Sequence, residues 1–323
     1  MTKQLAYLLA GLMAWGAALQ VLAFDLEGHR GTRGLAPENT LAAFSRALAI
    51  GVTTLETDLA VTADGVLVIS HDPLLNPDVV RAPDGRWLPD KGPAIHMLTL
   101  AQLKRYDIGR VDPASKYGRQ FPEQQPADGE RFPTLAELLA LVRASGKPVR
   151  LNLETKITPL HPEQTVDATT FARLVVQAVQ AAGMANRVTI QSFDWRTLVE
   201  AKKIAPEIET ACLTIETPID DTVRRGDRQG SAWHAGFALA AYDGVLPALV
   251  RAAGCAIWSP FWRNVTGDAV SQAHGLGVKV LPWTVNDPRD MTQLIAWNTD
   301  GIITDYPDRL RRVLADRGMP LPP

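Results

Sequence analysis

The stretch ETDLAVTADGVLVISHD, residues 56–72, decides how this chain folds. Residues 53–61 and 66–70 both read as strands, yet only Thr62-Ala63-Asp64-Gly65 lies between them. A parallel crossover needs a dozen or more residues, so the second run must return antiparallel to the first through an Asp-Gly turn. That return sets His71 across from residues 56–58, which are Glu56, Thr57 and Asp58. It also makes 66–70 a side arm rather than a member of the main succession of strands.

Working outward, strand-like runs recur at 24–27, 149–154, 188–193, 210–215, 256–260, 278–285 and 301–304. Helical patterns lie between most of them, at 41–50, 135–144, 171–182, 195–204 and 291–297. Pro37 marks the approach to the first helix, and Gly51, Gly146 and Gly183 stand just past three helix ends. Strand alternating with helix predicts a parallel α/β fold. With the side arm set aside, eight strands remain, the number that closes a (β/α)8 TIM barrel of roughly 250 residues.

The 323 residues therefore leave room for insertions. Residues 73–133 form one, with its own turn (Pro83-Asp84-Gly85) and a short helical pattern at 98–106. Because it begins directly after His71, it is expected over the same barrel end as His71. A second irregular stretch runs from 216 to 254. No linker-like composition divides the chain, so residues 24–323 are expected to form one barrel domain.

Composition narrows the function classes. With 46 % hydrophobic and 21 % charged residues, a large buried core is within reach and disorder is excluded. A net charge of −2 argues against the extended basic surface that nucleic acid requires. Lys3 precedes an apolar run at 5–19, and Val21 and Ala23 are small enough for a cleavage site before Phe24. Residues 1–23 are thus expected to be a signal peptide, with export to the periplasm or beyond. The alternative is an uncleaved membrane anchor, since 5–24 nearly reaches the roughly 20 residues a span needs. Cys212 and Cys255 make no metal signature; they can form one bridge, or remain buried thiols in apolar strands.

In a barrel of this kind, chemistry sits where strands end and helices begin. His29 and Arg30 follow the first strand, on the glycine-flanked turn EGHRGTRG (27–34). Glu56 and Asp58, two apart, project from one side of the next strand. Glu154 and Lys156 repeat that spacing further on, and Gln191, Ser192, Trp283 and Asn286 close later strands. Three carboxylates meeting at one mouth repel each other unless a positive group sits among them. An all-oxygen set of this kind suits Ca²⁺ or Mg²⁺. Two histidines beside it suit acid–base work near neutral pH. Arg30 and Lys156 add fixed positive charge, which fits an anionic phosphate ester. Each element also has a plain reading. A lone E-x-D is commonly a solvated strand end. Pro37-Glu38-Asn39-Thr40 reads first as helix-start chemistry, with Asn or Thr as the cap. Phe193 and Trp283 read as packing residues that can also wall a pocket, together with Gln191.

Taken together, HRG (29–31), PENT (37–40), ETDLAVTADGVLVISHD (56–72), LETK (153–156), QSFD (191–194), WTVN (283–286) and GIITDYP (301–307) resemble the glycerophosphodiester phosphodiesterase family in order and spacing. The likeness runs from about residue 24 to 315, with a helix start and insertion closer to exported bacterial members. It implies a barrel that hydrolyses glycerophosphodiesters to sn-glycerol 3-phosphate and an alcohol. It implies Glu56, Asp58 and Glu154 as ligands of a divalent cation, Ca²⁺ or Mg²⁺, and His29 and His71 as the acid–base pair. Arg30 and Lys156 would hold the phosphate, and 73–133 would be the family's insertion. The expected partner is a small-molecule diester, with a membrane involved only if the leader stays attached. After His71-Asp72, Pro73-Leu74-Leu75 replaces the Arg-Thr-Thr-like run of many members. The resemblance also admits a lysophospholipase D or a phosphatidylinositol-specific phospholipase C. An exported phosphodiester-binding protein that has lost activity is the reading from another class.

Overall fold

In the computed structural model, which describes residues 24–323, strand and helix alternate along the chain. The elements in order are β1 (Asp25–Gly28), α1 (Leu41–Ile50), β2 (Thr54–Val61), β3 (Leu67–Ile69), α2 (Leu100–Leu103), α3 (Leu135–Ala144), β4 (Arg150–Thr155), α4 (Ala168–Ala181) and β5 (Val188–Ser192). There follow α5 (Trp195–Ile204), β6 (Glu209–Thr214), α6 (Leu246–Ala252), β7 (Ile257–Pro260), α7 (Gly267–Gly275), β8 (Lys279–Val280), α8 (Pro288–Ala296), β9 (Gly301–Thr304) and α9 (Pro307–Asp316). The expected leader at 1–23 lies outside the described residues. Among the described residues, no helix is long and apolar enough to cross a membrane.

Eight of the strands run parallel in the order β8-β7-β6-β5-β4-β2-β1-β9, and β3 pairs antiparallel with β2 alone. The side arm is therefore where the short Asp-Gly turn puts it. Closure between the two ends of the sheet runs through backbone bonds from Asp300 N to Val280 O, Ile303 N to Pro282 O and Val285 N to Ile303 O, each 3.0 Å. The result is a (β/α)8 barrel flanked by helices. The run at 278–285 makes regular ladder only at Lys279–Val280. Pro282 has no N–H to give, and the Val280 N–H goes instead to the Asp300 carboxylate at 2.7 Å.

Local chemistry sets the helix ends. Thr40 caps α1 by accepting from Ala43 N at 3.1 Å, and Gly51, at φ +88°, closes it in the left-handed region. Thr134 and Glu137 form a capping box at α3. The α4 helix begins at Ala168, one turn before the apolar periodicity does, because Asp167 accepts from Thr170 N at 2.9 Å. The helical pattern at 98–106 yields only the single turn of α2, stopped by Lys104.

Outward-facing side chains of the strands, such as Leu26, Leu55, Leu153 and Ile190, pack against Phe44, Phe171 and Trp195 of the helices. The insertion between β3 and α3 has its own small core, in which Leu75, Val80, Ile95, Leu103, Ile108 and Phe132 pack on Ala60 and Val68 of the hairpin. Cys212 of β6 and Cys255 just before β7 are joined by a disulfide, so of the two readings of the cysteines the bridge holds.

Candidate active site and metal centre

Strand register brings the acidic residues together. Asp58 of β2 is paired with Glu154 of β4, and Glu56 with Asn152. Neighbouring strands lie about 4.8 Å apart, so the two side chains project side by side at the strand ends. One carboxylate oxygen from each of Glu56, Asp58 and Glu154 lies within 4.8 Å of the other two, and all three residues are buried. Two oxygens each roughly 2.3–2.6 Å from a shared Ca²⁺ lie at most about 5 Å apart, so the spacing fits one hard cation. Asp58 Oδ1 is moreover buried with no hydrogen-bond donor. An orphaned buried acceptor of that kind calls for a positive partner. The residues present therefore fit a divalent cation.

Positive side chains sit beside the carboxylates. Arg30 donates from Nη1 to Glu38 Oε1 at 2.7 Å and its Nε lies 3.2 Å from Asp58 Oδ2. Lys156 donates to Glu154 Oε1 at 2.8 Å and stands 3.8 Å from Asp58 Oδ1. Burial alone would raise Asp58, but Arg30, His71 and Lys156 outweigh it and hold its carboxyl well below the usual range. Glu56 goes the other way, raised by burial and then by the neighbouring Asp58 charge. Burial raises Glu154 too, against the pull of Lys156. The neighbouring Asp58 charge thus adds to the cost of ionising Glu56, and added positive charge offsets it.

His29 sits deeper. Its N–H bonds to Thr304 O at 2.9 Å, extending the β1–β9 pairing by one residue and setting its ring beside Asp305. Nδ1 contacts Asp305 Oδ1 at 2.6 Å, which leaves Nε2 3.9 Å from Glu56 Oε2 at the cluster edge. Asp305 is itself held by Arg33, through Nε at 2.9 Å and Nη2 at 3.0 Å, and by Asn286 Nδ2 at 2.7 Å. Burial, and then the Arg33 charge, lower the His29 imidazole to about 4, so it is neutral at pH 7. The turn that carries it needs its glycines. A Cβ on Gly28 would lie 2.2 Å from Gly31 O, and one on Gly31, at φ +85°, would lie 2.8 Å from Ala43.

His71 lies on the other flank, at the end of the β3 arm, and is more open to solvent. Its Nδ1 is 3.1 Å from Asp72 Oδ1, and Asn76 Nδ2 anchors Asp72 at 2.7 Å. The Ser70 N–H bonds to Asp58 O at 3.0 Å, which keeps the arm against the cluster.

Burial and bonding define the place of three residues read from the sequence. Of the two cap residues expected at α1, Thr40 is the cap; Asn39, at φ +58°, turns inward and donates to Asp58 Oδ2 at 3.0 Å. Gln191 does not line an open pocket; it is buried and donates to Glu56 Oε1 at 2.8 Å. Arg30, expected at the phosphate, here spans Glu38 and Asp58. Phe193 and Trp283 stand half-buried, edge to face at 5.3 Å, with Phe261 and Trp233 beside them and Lys156 Nζ 5.9 Å from the Phe193 ring centroid. An aromatic wall thus adjoins the ionic cluster through Lys156.

Two other site residues carry no distinctive sequence signal. Glu38 hides inside what reads as a helix start. Tyr117 comes from the insertion; its hydroxyl donates to Glu38 Oε2 and accepts from Arg33 Nη1 at 3.2 Å. Asp305 had a signal, since it directly follows the last strand.

The sequence profile of the glycerophosphoryl diester phosphodiesterase family matches residues 29–309. A glycerophosphodiester phosphodiesterase from Caldanaerobacter subterraneus subsp. tengcongensis is 29% identical over 290 residues, which is 90% of this chain and 97% of that one. A crystal structure from Silicibacter pomeroyi, solved as a candidate glycerophosphoryl diester phosphodiesterase, superposes with a TM-score of 0.80 at 35% identity, covering 93% of this chain and 96% of that one. An Oleispira antarctica phosphodiesterase solved with the product sn-glycerol-3-phosphate gives a TM-score of 0.66 at 26% identity, over 91% of this chain and 97% of that one. With the profile spanning the barrel from His29 to Arg309, this chain is a phosphodiesterase belonging to the glycerophosphoryl diester phosphodiesterase family.

Proposed function

We propose that the chain hydrolyses glycerophosphodiesters to sn-glycerol 3-phosphate and an alcohol, with His29 and His71 as the acid–base pair. The observation that carries this reading is the convergence of Glu56, Asp58 and Glu154 beside a histidine whose far nitrogen is fixed by Asp305. Glycerol 3-phosphate bound as product in the Oleispira relative supports the choice of product.

Glu56, Asp58 and Glu154 would hold a divalent cation, Ca²⁺ or Mg²⁺. Bound there, it would supply neutralisation of phosphate charge and a lowered pKa for an attacking hydroxyl. The chain's own residues do the rest. His29, neutral and with Nε2 facing the cluster, accepts the proton of the attacking oxygen, and Asp305 stabilises the imidazolium that results. His71, on the opposite flank and open to solvent, protonates the departing alcohol. Lys156 and Arg30 meet the phosphate oxygens, Arg30 by shifting its guanidinium away from Glu38 and Asp58. The aromatic wall of Phe193 and Trp283 receives an organic arm of the diester. Acid–base help of this kind is worth about 10²–10⁴-fold.

The test is turnover of glycerophosphocholine, read as sn-glycerol 3-phosphate. His29→Ala, His71→Ala and treatment with a chelator should each abolish it. Survival of turnover through all three sinks the mechanism.

Export is proposed with it. The apolar leader is one support, and the Cys212–Cys255 bridge is another, since such bridges persist in oxidising compartments.

A further inference from the structure

We propose that Glu27, Asn152 and Gln191 form a hydrogen-bonded relay inside the barrel that orients Glu56 for cation binding. The inference rests on Glu56, Asp58 and Glu154 being cation ligands, as argued above.

Barrel interiors are commonly filled by branched apolar side chains. On one side of this barrel that holds, with Ala211, Ile257 and Leu281 packed together. On the other, β1, β4 and β5 each point a polar residue inward, and all three are sealed from water: Glu27 is 2 % exposed, Asn152 1 % and Gln191 2 %. Polar groups placed there are costly unless bonded; these bond to one another through Asn152 Nδ2 and Gln191 Nε2, while Asn152 Oδ1 has no donor. Asn152 Nδ2 donates to Glu27 Oε2 at 2.9 Å and to Gln191 Oε1 at 3.1 Å. Gln191 Nε2 then donates to Glu56 Oε1 at 2.8 Å.

The direction of these bonds follows from the end of the chain. A ligating Glu56 is a carboxylate and can only accept. Gln191 must therefore present its amide N–H to Glu56 and turn its carbonyl toward Asn152. Asn152 must in turn present N–H, which Glu27 also accepts. The other Glu56 oxygen, Oε2, takes the Arg30 backbone N–H at 2.9 Å. A carboxylate has about four lone-pair sites, and the two bonds leave the remainder free. Held by one donor on each oxygen, Glu56 cannot rotate away from Asp58 and Glu154. Asn152 and Gln191 are positioning residues, acting on the cation through Glu56. Removing such outer partners typically costs about 10–100-fold in metal affinity.

The experiment is calorimetric titration of the metal-stripped full chain with CaCl₂ and, separately, MgCl₂, alongside Tm. Variants are Gln191→Leu, Asn152→Leu, the double variant and Glu56→Gln. Gln191→Glu, which keeps size but offers no N–H when ionised, replaces the leucine if that variant does not fold. The relay predicts about 10–100-fold weaker binding for either Gln191 variant and a smaller loss for Asn152→Leu. That smaller loss should vanish once Gln191 is already replaced, although Tm falls further. Wild-type affinity in the Gln191 variants, or fully additive losses in affinity, overturns the relay alone. No binding by the wild type, or undiminished binding by Glu56→Gln, overturns the cation site and the relay with it.

Discussion

His29 and Asp305, 276 residues apart, are joined Nδ1 to Oδ1 at 2.6 Å across the β1–β9 pair. The carboxylate fixes which imidazole nitrogen carries the proton and so leaves Nε2 as the acceptor toward the acidic cluster. Asp305→Asn can keep the size but can present an amide N–H in place of an acceptor. The imidazole can then bind in the other tautomer, with Nε2 protonated and useless as a base. The expected loss is about 10²–10⁴-fold in kcat, with KM little changed. Steady-state kinetics on glycerophosphocholine check it. A variant within a few-fold of wild type would remove Asp305 from the mechanism.

Much of this arrangement was legible in the sequence, and what was not has physical reasons. The β2–β3 hairpin followed from a turn too short for any crossover, and the Glu56 and Asp58 pair from two-residue spacing. Glu154 followed from its place at a strand end, and its pairing with Asp58 is a register that no single strand reveals. Glu38 bonds to Arg30 beside it and to Tyr117 in the insertion, 79 residues away, and only the folded insertion brings that hydroxyl near. Gln191 was noticed, but which way a strand-end side chain tilts depends on how the barrel closes. Helix-start chemistry concealed Asn39, because Thr40 beside it suffices as the cap.

Tyr117 gives the insertion a measurable hold on the site. Its hydroxyl links Glu38 to Arg33, while its ring stacks edge to face on Phe121 at 5.2 Å, so the phenol is positioned from both ends. Tyr117→Phe keeps the ring and deletes the link. Hydrogen bonds to charged groups contribute about 1.5–3 kcal/mol, so kcat/KM should fall by about 10-fold or more. Arg30 is held by the same Glu38, and the loss should lie mainly in KM if Arg30 meets phosphate. Substrate saturation curves for the two proteins decide it; an unchanged kcat/KM would mean the insertion only covers the site.

The Cys212–Cys255 bridge closes a loop with a sequence separation of 43. Chain-entropy reasoning gives such a loop about 4 kcal/mol of stabilisation, acting on the unfolded state. The double replacement by alanine, or thorough reduction, should lower Tm by several degrees while leaving kcat near wild type, since both cysteines lie in the core away from the carboxylates. Thermal unfolding with and without reductant checks this. A Tm insensitive to reductant would show that the thiols are not bridged in the folded protein.

His234 should govern acid stability without touching the chemistry. It is fully buried, stacks on Trp195 with centroids 4.2 Å apart, and neither ring nitrogen has a hydrogen-bond partner. Burial lowers its imidazole from 6.5 to about 4, with Asp221 pulling weakly the other way. The folded protein therefore resists protonation that the unfolded chain accepts. As pH falls through about 6.5, the unfolded state takes up a proton first, and stability drops until about pH 4, where the folded state is protonated too. Above pH 6.5 the group has no effect. At about 1.4 kcal/mol per pH unit, the whole window is worth about 3 kcal/mol at most. His234→Phe keeps the stack on Trp195 and removes the titration. Its denaturation midpoint should vary less than that of the wild type between pH 4 and 6.5, with the two curves parallel above. Equal slopes for the two proteins throughout that window would show that His234 is protonated normally in the fold.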